Sequence, residues 1–395
     1  MSSGGAWPGL RPAWVEVDLD AVAGNVRTLA GEVAPARLLA VVKADAYGHG
    51  AVPVARKAIG AGAAWLGVAL VEEALGLQEA GVSAPVLVLS EPHPAAADAC
   101  AAQGLAVTIC TQAGVRAFGA AARRAGRPVA VHLKVDTGMH RQGCAPAELP
   151  ALVAAALAEP RLEVQGLWSH FAVADEAAKA ATTDAQLARF HEALAAAAAA
   201  GLRPRWRHLA NSAGATVRDD ARFDLVRVGI ELYGLAPSAE LAGHVRARLR
   251  PALALRAAVS ALRTVEAGER VSYGHRWEAR RPTRIATLPV GYADGVRRGL
   301  SGRIRVRLGG RILQQVGTVT MDQMMVDVDD ADVEVGQVAT LLGDPAEGEP
   351  GVGEWAAALD TIDYEVTCGL SMRLPRVHRH GLPAGRQAGA HQAAR

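Results

Sequence analysis

The sequence lacks the features that mark secreted, metal-binding, membrane-spanning or nucleic-acid-binding proteins. Its four cysteines, Cys100, Cys110, Cys144 and Cys368, lie far apart without a CxxC pair, which argues against a disulfide framework and a zinc site. The 42 basic and 40 acidic residues nearly cancel, so no net charge favours nucleic acid or an anionic membrane. No apolar run approaches the ~18 residues of a membrane span. We therefore expect a cytoplasmic protein that binds a small molecule and no metal.

Short apolar runs alternate with stretches of helical spacing over the first two thirds of the chain. The 395 residues, half of them hydrophobic, suffice for a barrel-sized domain and a smaller one. Continuous apolar strands need helices over their outer faces, so the alternation predicts a closed (β/α)8 barrel, with a doubly wound open sheet as the alternative. The eight predicted strands are Leu38–Val42, Trp65–Leu70, Val86–Leu89, Leu105–Ile109, Val129–Val135, Val164–Phe171, Arg207–Ala210 and Leu225–Leu232.

After Gly243 the pattern changes to partly alternating runs separated by turn signals, which predicts a mostly β domain. The pair Gly309-Gly310 between two runs is typical of a two-residue hairpin. The run Trp14–Leu19 precedes the barrel and is a candidate strand for the second domain. We predict an N-terminal strand plus barrel over 12–243 and a β domain over 244–380, flanked by disordered segments at 1–11 and 381–395.

A lysine stands at the end of the first predicted barrel strand, in the string VVKADAYGHG at residues 41–50. In barrels of this kind the chemistry lies at the carboxyl ends of the strands. A desolvated lysine has a lowered pKa, and an uncharged amine condenses with an aldehyde. Taken alone, Lys43 would more often be an ordinary surface residue. The string around it favours a chemical role.

The string resembles the cofactor-lysine signature of the alanine racemases, a family of barrel enzymes that use pyridoxal 5'-phosphate, and the resemblance extends from about Pro12 to Arg379. It implies that Lys43 holds the cofactor and that Tyr47 contacts its phosphate. The string HLKVDTGMHRQG at 132–143 resembles a second family segment. There Arg141 would contact the cofactor's phenolic oxygen and the substrate carboxylate, and Lys134 matches a lysine that the family often carbamylates.

Three further strings resemble family segments at the ends of later barrel strands: WSHFAVAD at 168–175, HLANSAG at 208–214 and VRVGI at 226–230. His170 would lie beside the cofactor ring, and Arg227 would face the pyridine nitrogen with His208 behind it. A guanidinium donates to that nitrogen without protonating it, which disfavours side reactions such as transamination. Phosphate contacts, which barrels commonly make after their last two strands, are implied for Asn211, Ser212, Gly229 and Ile230.

The second domain carries VSYG at 271–274, PVGYADG at 289–295 and TMDQ at 320–323, which resemble the remaining family segments. They imply that Tyr273, supplied by a partner subunit, is the second base, and that the backbone amide of Met321 binds the substrate carboxylate beside Asp322. Tyr292 would line the entrance. Racemisation needs a base on each face of the α-carbon, which a lysine and a tyrosine can supply. The resemblance therefore implies a homodimeric racemase that interconverts L-alanine and D-alanine.

The chain departs from the family pattern at a few positions, and three other functions share some of its features. His140 stands where glycine is usual, Thr318 and His275 where arginine is common, and Met372 where many relatives have a polar or aromatic contact. A broad-specificity racemase would share every feature named. A non-enzymatic cofactor carrier would lack the β domain with Tyr273. A barrel aldolase using the lysine alone would leave the phosphate and pyridine contacts unexplained.

Overall fold

Eight parallel strands form the predicted barrel in the computed structural model, which describes residues 7–380. The hydrogen-bonded order is β8 (Trp206–His208), β7 (Leu162–Trp168), β6 (Val129–Lys134), β5 (Ala106–Ile109), β4 (Val86–Val88), β3 (Trp65–Val68), β2 (Arg37–Val41) and β9 (Leu225–Val228). Backbone hydrogen bonds of 3.0 Å from Arg227 to Ala210 and 3.1 Å from Asp224 to Arg207 connect the two ends, so the barrel is confirmed and the open sheet is wrong.

Helices cover the outside of this barrel. Asp18 begins the first of them by accepting hydrogen bonds from the amides of Asp20 and Ala21, and Gly126, in the left-handed conformation, ends the sixth. Within residues 7–380, no helix has both the length and the apolar character needed to cross a membrane. The helices of this part are α1 Leu19–Val33, α2 Lys43–Gly48, α3 Ala51–Gly60, α4 Val71–Glu79, α5 Ala97–Gln103, α6 Gln112–Ala125, α7 Leu149–Ala158, α8 Ala180–Ala199, α9 Ser212–Val217 and α10 Ala242–Arg246.

The last barrel strand is shorter than predicted. The run 225–232 reads as one strand in sequence, but β9 ends at Val228 and a 3-10 turn covers Ile230–Tyr233. Gly229 leaves the β region with φ −116° and ψ −89°, and Gly234 closes the turn with φ 71°. A Cβ atom at Gly234 would lie 1.9 Å from the Arg250 carbonyl oxygen, so only glycine fits. The turn thus brings residues 229 and 230 to the barrel mouth.

The C-terminal part is built on a nine-stranded sheet. The strand predicted before the barrel is β1, Ala13–Asp18, and it pairs antiparallel with β10, which confirms its predicted place. Gly309 and Gly310 both have positive φ, 58° and 74°, as the predicted tight hairpin requires. The strands of this part are β10 Leu253–Ala258, β11 Ala261–Val265, β12 Arg270–Val271, β13 Trp277–Glu278, β14 Thr283–Leu288, β15 Arg305–Leu308, β16 Arg311–Val316, β17 Met324–Asp327, β18 Val338–Leu342 and β19 Arg376–Arg379. Strands β12 and β13 pair with each other in a separate two-stranded sheet, and the others form the nine-stranded sheet with β1, in the order β11-β14-β17-β16-β15-β18-β10-β1-β19.

Two helices interrupt this mostly β part and were not predicted. They are α11, Val352–Leu359, and α12, Asp363–Cys368, with Trp355 of the first completely buried. The second packs on the segment that carries Lys43, since a Cβ atom at Gly48 would lie 2.4 Å from the Thr367 carbonyl oxygen. The C-terminal part of the chain therefore closes one side of the barrel mouth.

The predicted domain limits at 12–243 and 244–380 stay predictions. Residues 1–6 of the predicted N-terminal disordered segment, and the whole predicted tail 381–395, lie outside the described residues. Arg11, the last residue of the predicted N-terminal segment, forms a 2.7 Å salt bridge with the completely buried carboxylate of Asp294. That contact joins the beginning of the described chain to the 3-10 turn Tyr292–Asp294 in the C-terminal part.

Candidate active site

A cavity of about 560 Å³ opens at the carboxyl ends of the barrel strands. Among the residues that line it are Trp168 and Tyr364, which were not predicted as site residues. The structure brings together predicted site residues that the sequence spreads over almost 200 positions, from Lys43 to Ile230. They come from the ends of β2, β6, β7, β8 and β9. The predicted site residues that line this cavity are Lys43, Tyr47, Lys134, Arg141, His170, Asn211, Ser212, Arg227, Gly229 and Ile230.

The segment that begins at the lysine, α2, is a short turn whose backbone has the left-handed conformation. Four consecutive residues that are not glycine, Ala44 to Tyr47, have φ between 50° and 55°, a conformation that costs roughly 1–2 kcal/mol per residue. Hydrogen bonds to side-chain carboxylates offset this strain. The Ala44 amide donates to Glu73 at 2.6 Å, and the Ala51 amide donates to Asp45 at 2.7 Å. The turn directs the side chains at 43 and 47 into the same cavity.

The electrostatic surroundings of Lys43 favour its uncharged form. Burial lowers the pKa of Lys43, and the positive charge of Arg141 lowers this pKa further. A larger fraction of the amine is therefore uncharged near neutral pH than for a lysine in water. An uncharged amine is what condensation with an aldehyde or removal of a proton from carbon requires.

A group of residues that line the same cavity as Lys43, which we call the cradle, comprises Tyr47, Asn211, Ser212, Gly229 and Ile230. A Cβ atom at Gly229 would lie 2.4 Å from the Tyr47 hydroxyl, so glycine allows the phenol to approach the backbone. Ser212 Oγ accepts a 2.9 Å hydrogen bond from the Gly229 amide. Burial raises the pKa of Tyr47, which keeps its hydroxyl protonated and able to donate. The cradle suits a small anion such as a phosphate.

Asn211 also has a local structural role. Its side-chain oxygen accepts a 2.9 Å hydrogen bond from the Gly214 amide and so caps α9. The cap fixes the start of the helix at the position where Ser212 faces the cavity.

Arg227 lies at the floor of the cavity and is almost completely buried. Its Nη2 atom donates to the carbonyl oxygens of Ser169 and Leu209 at 2.8 and 2.9 Å and lies 3.0 Å from His170 Nδ1. Burial lowers the pKa of Arg227 to about 9 and keeps His170 neutral by lowering its pKa well below its usual range. The guanidinium therefore remains a charged donor near neutral pH, held in one orientation.

A chain of two histidines supports Arg227 from behind. Arg227 Nη1 lies 3.0 Å from His208 Nδ1, and His208 Nε2 lies 2.9 Å from His132 Nδ1. Because a guanidinium can only donate, His208 Nδ1 must accept and its Nε2–H must donate to His132. Burial lowers the pKa of both rings, to about 3 for His132. Gly166 makes room for this arrangement, since a Cβ atom there would lie 2.2 Å from His132 Nδ1.

Lys134 and Arg227 lie against the same aromatic ring. Their cationic groups are 4.2 and 4.5 Å from the centroid of Trp168. Burial, together with the charges of Arg227 and Arg141, lowers the pKa of Lys134 to about 8. The carbamylation of Lys134 that the resemblance implies stays a prediction.

The loop that carries Arg141 has a conformation that accounts for the departure at His140. Asp136 Oδ1 accepts hydrogen bonds of 2.8, 3.0 and 3.1 Å from the amides of Gly138, Met139 and His140. His140 has φ 54°, in the left-handed region that glycine favours. The carboxylate thus stabilises a turn that would otherwise be strained, and the loop keeps Arg141 at the cavity.

The predicted site residues of the C-terminal part do not reach this cavity within one chain. Tyr273 is 73% exposed and Met321 53% exposed, and Tyr273 lines a different cavity, of about 950 Å³, beside Thr320 and Gln323. Tyr292 is partly exposed, and Asp322 accepts a 2.7 Å hydrogen bond from Arg373. A single chain therefore presents the lysine and the tyrosine at separate places.

Thr318, one of the departures, holds the backbone of this tyrosine. Its hydroxyl donates a 2.6 Å hydrogen bond to the Tyr273 carbonyl oxygen, and the Ser272 hydroxyl donates 2.7 Å to the carbonyl oxygen of Thr318. Thr318 is buried. At this position, where arginine is common in the family, the short threonine side chain bonds directly to the backbone at Tyr273.

The fold and the cavity define a barrel protein with a lysine-based site for a small molecule, joined to a β part that carries further polar groups on its surface. The family model for "Alanine racemase, N-terminal domain" matches residues 17–237, and that for "Alanine racemase, C-terminal domain" matches residues 252–378. The chain belongs to the alanine racemase family.

Individual relatives agree with this assignment. The chain is 48% identical to an alanine racemase of Symbiobacterium thermophilum, over 94% of this chain and 98% of the relative, and 46% identical to one of Thermobifida fusca. The crystal structure of alanine racemase from D-cycloserine-producing Streptomyces lavendulae has a TM-score of 0.90 at 41% identity and covers 96% of this chain and 100% of the other. The alanine racemase of Bacillus anthracis with bound L-Ala-P has a TM-score of 0.88 at 36% identity, covering 94% and 96%.

Proposed function

We propose that this protein interconverts L-alanine and D-alanine with bound pyridoxal 5'-phosphate, using Lys43 as one base and Tyr273 of the partner subunit as the other. The observation that carries the proposal is the cavity itself, in which a desolvated lysine, an anion cradle and a buried arginine meet. The relatives that the chain resembles along more than nine tenths of its length are alanine racemases.

The residues present fit this cofactor. The Tyr47 and Ser212 hydroxyls and the tight approach at Gly229 suit a phosphate, and the uncharged form of Lys43 suits an aldehyde carbon. Arg227 would donate to the pyridine nitrogen. Although burial lowers its pKa to about 9, the guanidinium stays charged near neutral pH. When bound, the cofactor supplies an electron-withdrawing ring that acidifies the α-hydrogen of an attached amino acid.

The protein's own groups would divide the remaining work. Lys43 would take or return a proton on one face of the α-carbon, and Arg141, at the edge of the same cavity, would hold the substrate carboxylate through its planar guanidinium. Arg227 would limit how much negative charge reaches the ring, because it donates a hydrogen bond without giving up its proton. These roles favour return of the proton to carbon over side reactions.

A homodimer would supply the second base. Racemisation needs a proton donor on the face opposite Lys43, and Tyr273 lies exposed on a different part of the same chain. Tyr292, Met321 and Met372 are further large apolar side chains with 39%, 53% and 76% exposure on this C-terminal part. The Tyr292 amide donates to the Thr320 carbonyl oxygen at 2.9 Å, which places it next to Met321. Such a patch suits burial against a second subunit.

We further infer that the enzyme works in the cytoplasm. All four cysteines are free, and Cys100, Cys110 and Cys144 are buried. Free thiols are typical of a reducing compartment.

Hydrogen exchange in deuterated water tests the function directly. The purified protein with added cofactor is incubated with L-alanine or D-alanine, and both the chirality and the deuterium at the α-carbon are followed. We expect each enantiomer to give the same racemic mixture with deuterium incorporated. Retention of configuration with both substrates would refute the proposal, and faster turnover of larger amino acids would identify a racemase of broad specificity instead.

Replacing the buried arginine tests its control over side reactions. We expect Arg227→Glu to lower racemisation by about 100-fold or more and to raise pyruvate formation per turnover at least about tenfold, because an acid facing the ring nitrogen allows it to be protonated. Pyruvate and alanine chirality are measured in the same reaction. Arg205→Glu, which changes an exposed arginine, is the control and should leave both quantities unchanged. Unaltered partitioning in Arg227→Glu would contradict the assigned role.

A further inference from the structure

Apart from Tyr47, the cradle residues come from two segments that are joined at two points by hydrogen bonds. One segment is α9, which carries Ser212, and the other is the turn that begins after Gly229. The first bond is that of 2.9 Å from the Gly229 amide to Ser212 Oγ. The second joins the Thr216 hydroxyl, one helical turn further along α9, to Glu231, with 2.9 Å to each carboxyl oxygen. The two segments are therefore joined at a second point, one helical turn away from the first.

Glu231 is an unusual residue for its position. Its exposure is 0%, as is that of Ile230, Leu232 and Tyr233 in the same turn. A carboxyl group buried among apolar side chains costs free energy, which a hydrogen bond offsets only in part. Within residues 7–380, the hydrogen-bond partner of this carboxyl is the Thr216 hydroxyl. Packing alone would favour an apolar residue here.

We propose that Glu231 is a positioning residue for the cofactor phosphate, which acts by fixing the distance between Ser212 and Gly229 through its hydrogen bonds with Thr216. The inference rests on the proposed function, since it concerns how this chain holds the phosphate of that cofactor. A third contact supports it. The Tyr233 hydroxyl donates 3.0 Å to the Val41 carbonyl oxygen, so the same turn is also tied to the strand that precedes the lysine.

The charge of Glu231 also bears on a bound phosphate. Burial raises the pKa of this carboxyl to about 7, and the nearby Glu32 raises it further, whereas the Thr216 hydroxyl and the charge of Arg248 lower it. Arg248 is itself paired with Glu32 through a 2.8 Å hydrogen bond. The charge of Glu231 in turn helps to raise the pKa of the Tyr364 phenol, which lines the main cavity. Below about pH 7 most of the carboxyl is uncharged, and above that pH its negative charge would oppose that of a phosphate held at Ser212 and Gly229.

Cofactor affinity, measured with and without the phosphate, tests the proposal. The cofactor is removed from wild type, Glu231→Ala, Glu231→Gln and Thr216→Ala, and the dissociation constants of pyridoxal 5'-phosphate and of pyridoxal are measured by absorbance. At about pH 6 we expect both alanine variants to lose about fivefold to tenfold in affinity for the phosphorylated form relative to pyridoxal. Glu231→Gln, which keeps a hydrogen-bonding group without charge, should lose less than about twofold.

Control measurements separate this role from general stability. Thr340→Ala removes a similar threonine, whose hydroxyl donates 3.2 Å to Glu349 in the C-terminal sheet, and should leave the ratio of the two affinities unchanged. When the pH is raised to about 8.5, wild type should lose affinity for the phosphorylated form relative to Glu231→Gln, because only wild type gains a negative charge. Equal losses for pyridoxal and its phosphate in Glu231→Ala, or a Glu231→Gln variant as weak as Glu231→Ala, would overturn the proposal. Failure of wild type to bind the cofactor at all would instead refute the proposed function.

Discussion

Lys43→Ala should abolish the interconversion of the alanine enantiomers, with a loss of at least about 1000-fold. The variant lacks both the amine that holds the cofactor and the base on one face of the α-carbon. Borohydride reduction of the wild type with its cofactor, followed by peptide mass analysis, should place the label on this lysine. The chain has four lysines, Lys43, Lys57, Lys134 and Lys179, so the assignment is unambiguous.

Lys57→Ala is the matched control. Lys57 is partly exposed and paired with Asp20 at 2.6 Å, outside the cavity, and its replacement should leave activity and labelling intact. The informative competitor is Lys134, whose pKa is also lowered, to about 8. A label on Lys134, or normal turnover by Lys43→Ala, would show that the wrong lysine has been assigned.

Tyr273→Phe should lower racemisation by about 100-fold to 10,000-fold while leaving cofactor binding intact. The phenol oxygen is the only atom removed, and Lys43 still acts on its own face of the α-carbon. We therefore expect deuterium exchange to persist with one enantiomer more than with the other, without inversion. Proton magnetic resonance of each enantiomer in deuterated water measures both quantities.

The control for this variant is Ile312→Ala, which changes another exposed apolar side chain of the C-terminal sheet away from both cavities. This variant should racemise alanine at the wild-type rate. Equal loss of exchange from both enantiomers in Tyr273→Phe would mean that the tyrosine supports the structure and is not a base.

The barrel could be predicted from sequence because its strands are continuous apolar runs with helical segments between them. The predicted runs agree with β2 to β8 to within a few residues at each end. The strand predicted over 225–232 was too long because the 3-10 turn after Gly229 is as apolar as a strand. The backbone torsions at Gly229 and Gly234 show where the strand ends and the turn closes. The helix Val352–Leu359 carries a recognisable signal, a run of alanines after Glu354, that the alternation of the neighbouring strands obscured.

The site was predictable where long strings mark it and unpredictable where it depends on three-dimensional packing. Period-two alternation puts His132 on the same face of β6 as Lys134, so its place behind His208 had a signal in the sequence. The left-handed turn at Ala44–Tyr47 had none, because no local preference favours four such residues in a row. The burial of Glu231 likewise depends on how α9 meets the turn after β9.

The central claim is that each site combines Lys43 of one subunit with Tyr273 of the other, and mixing two inactive variants tests it most directly. Lys43→Ala and Tyr273→Phe are unfolded together, refolded at equal amounts, and assayed for racemisation of alanine. If the site is shared, half of the dimers are mixed and one of their two sites is intact, so activity should recover to about a quarter of wild type. If both groups act within one chain, no intact site forms and the mixture should remain as inactive as its components.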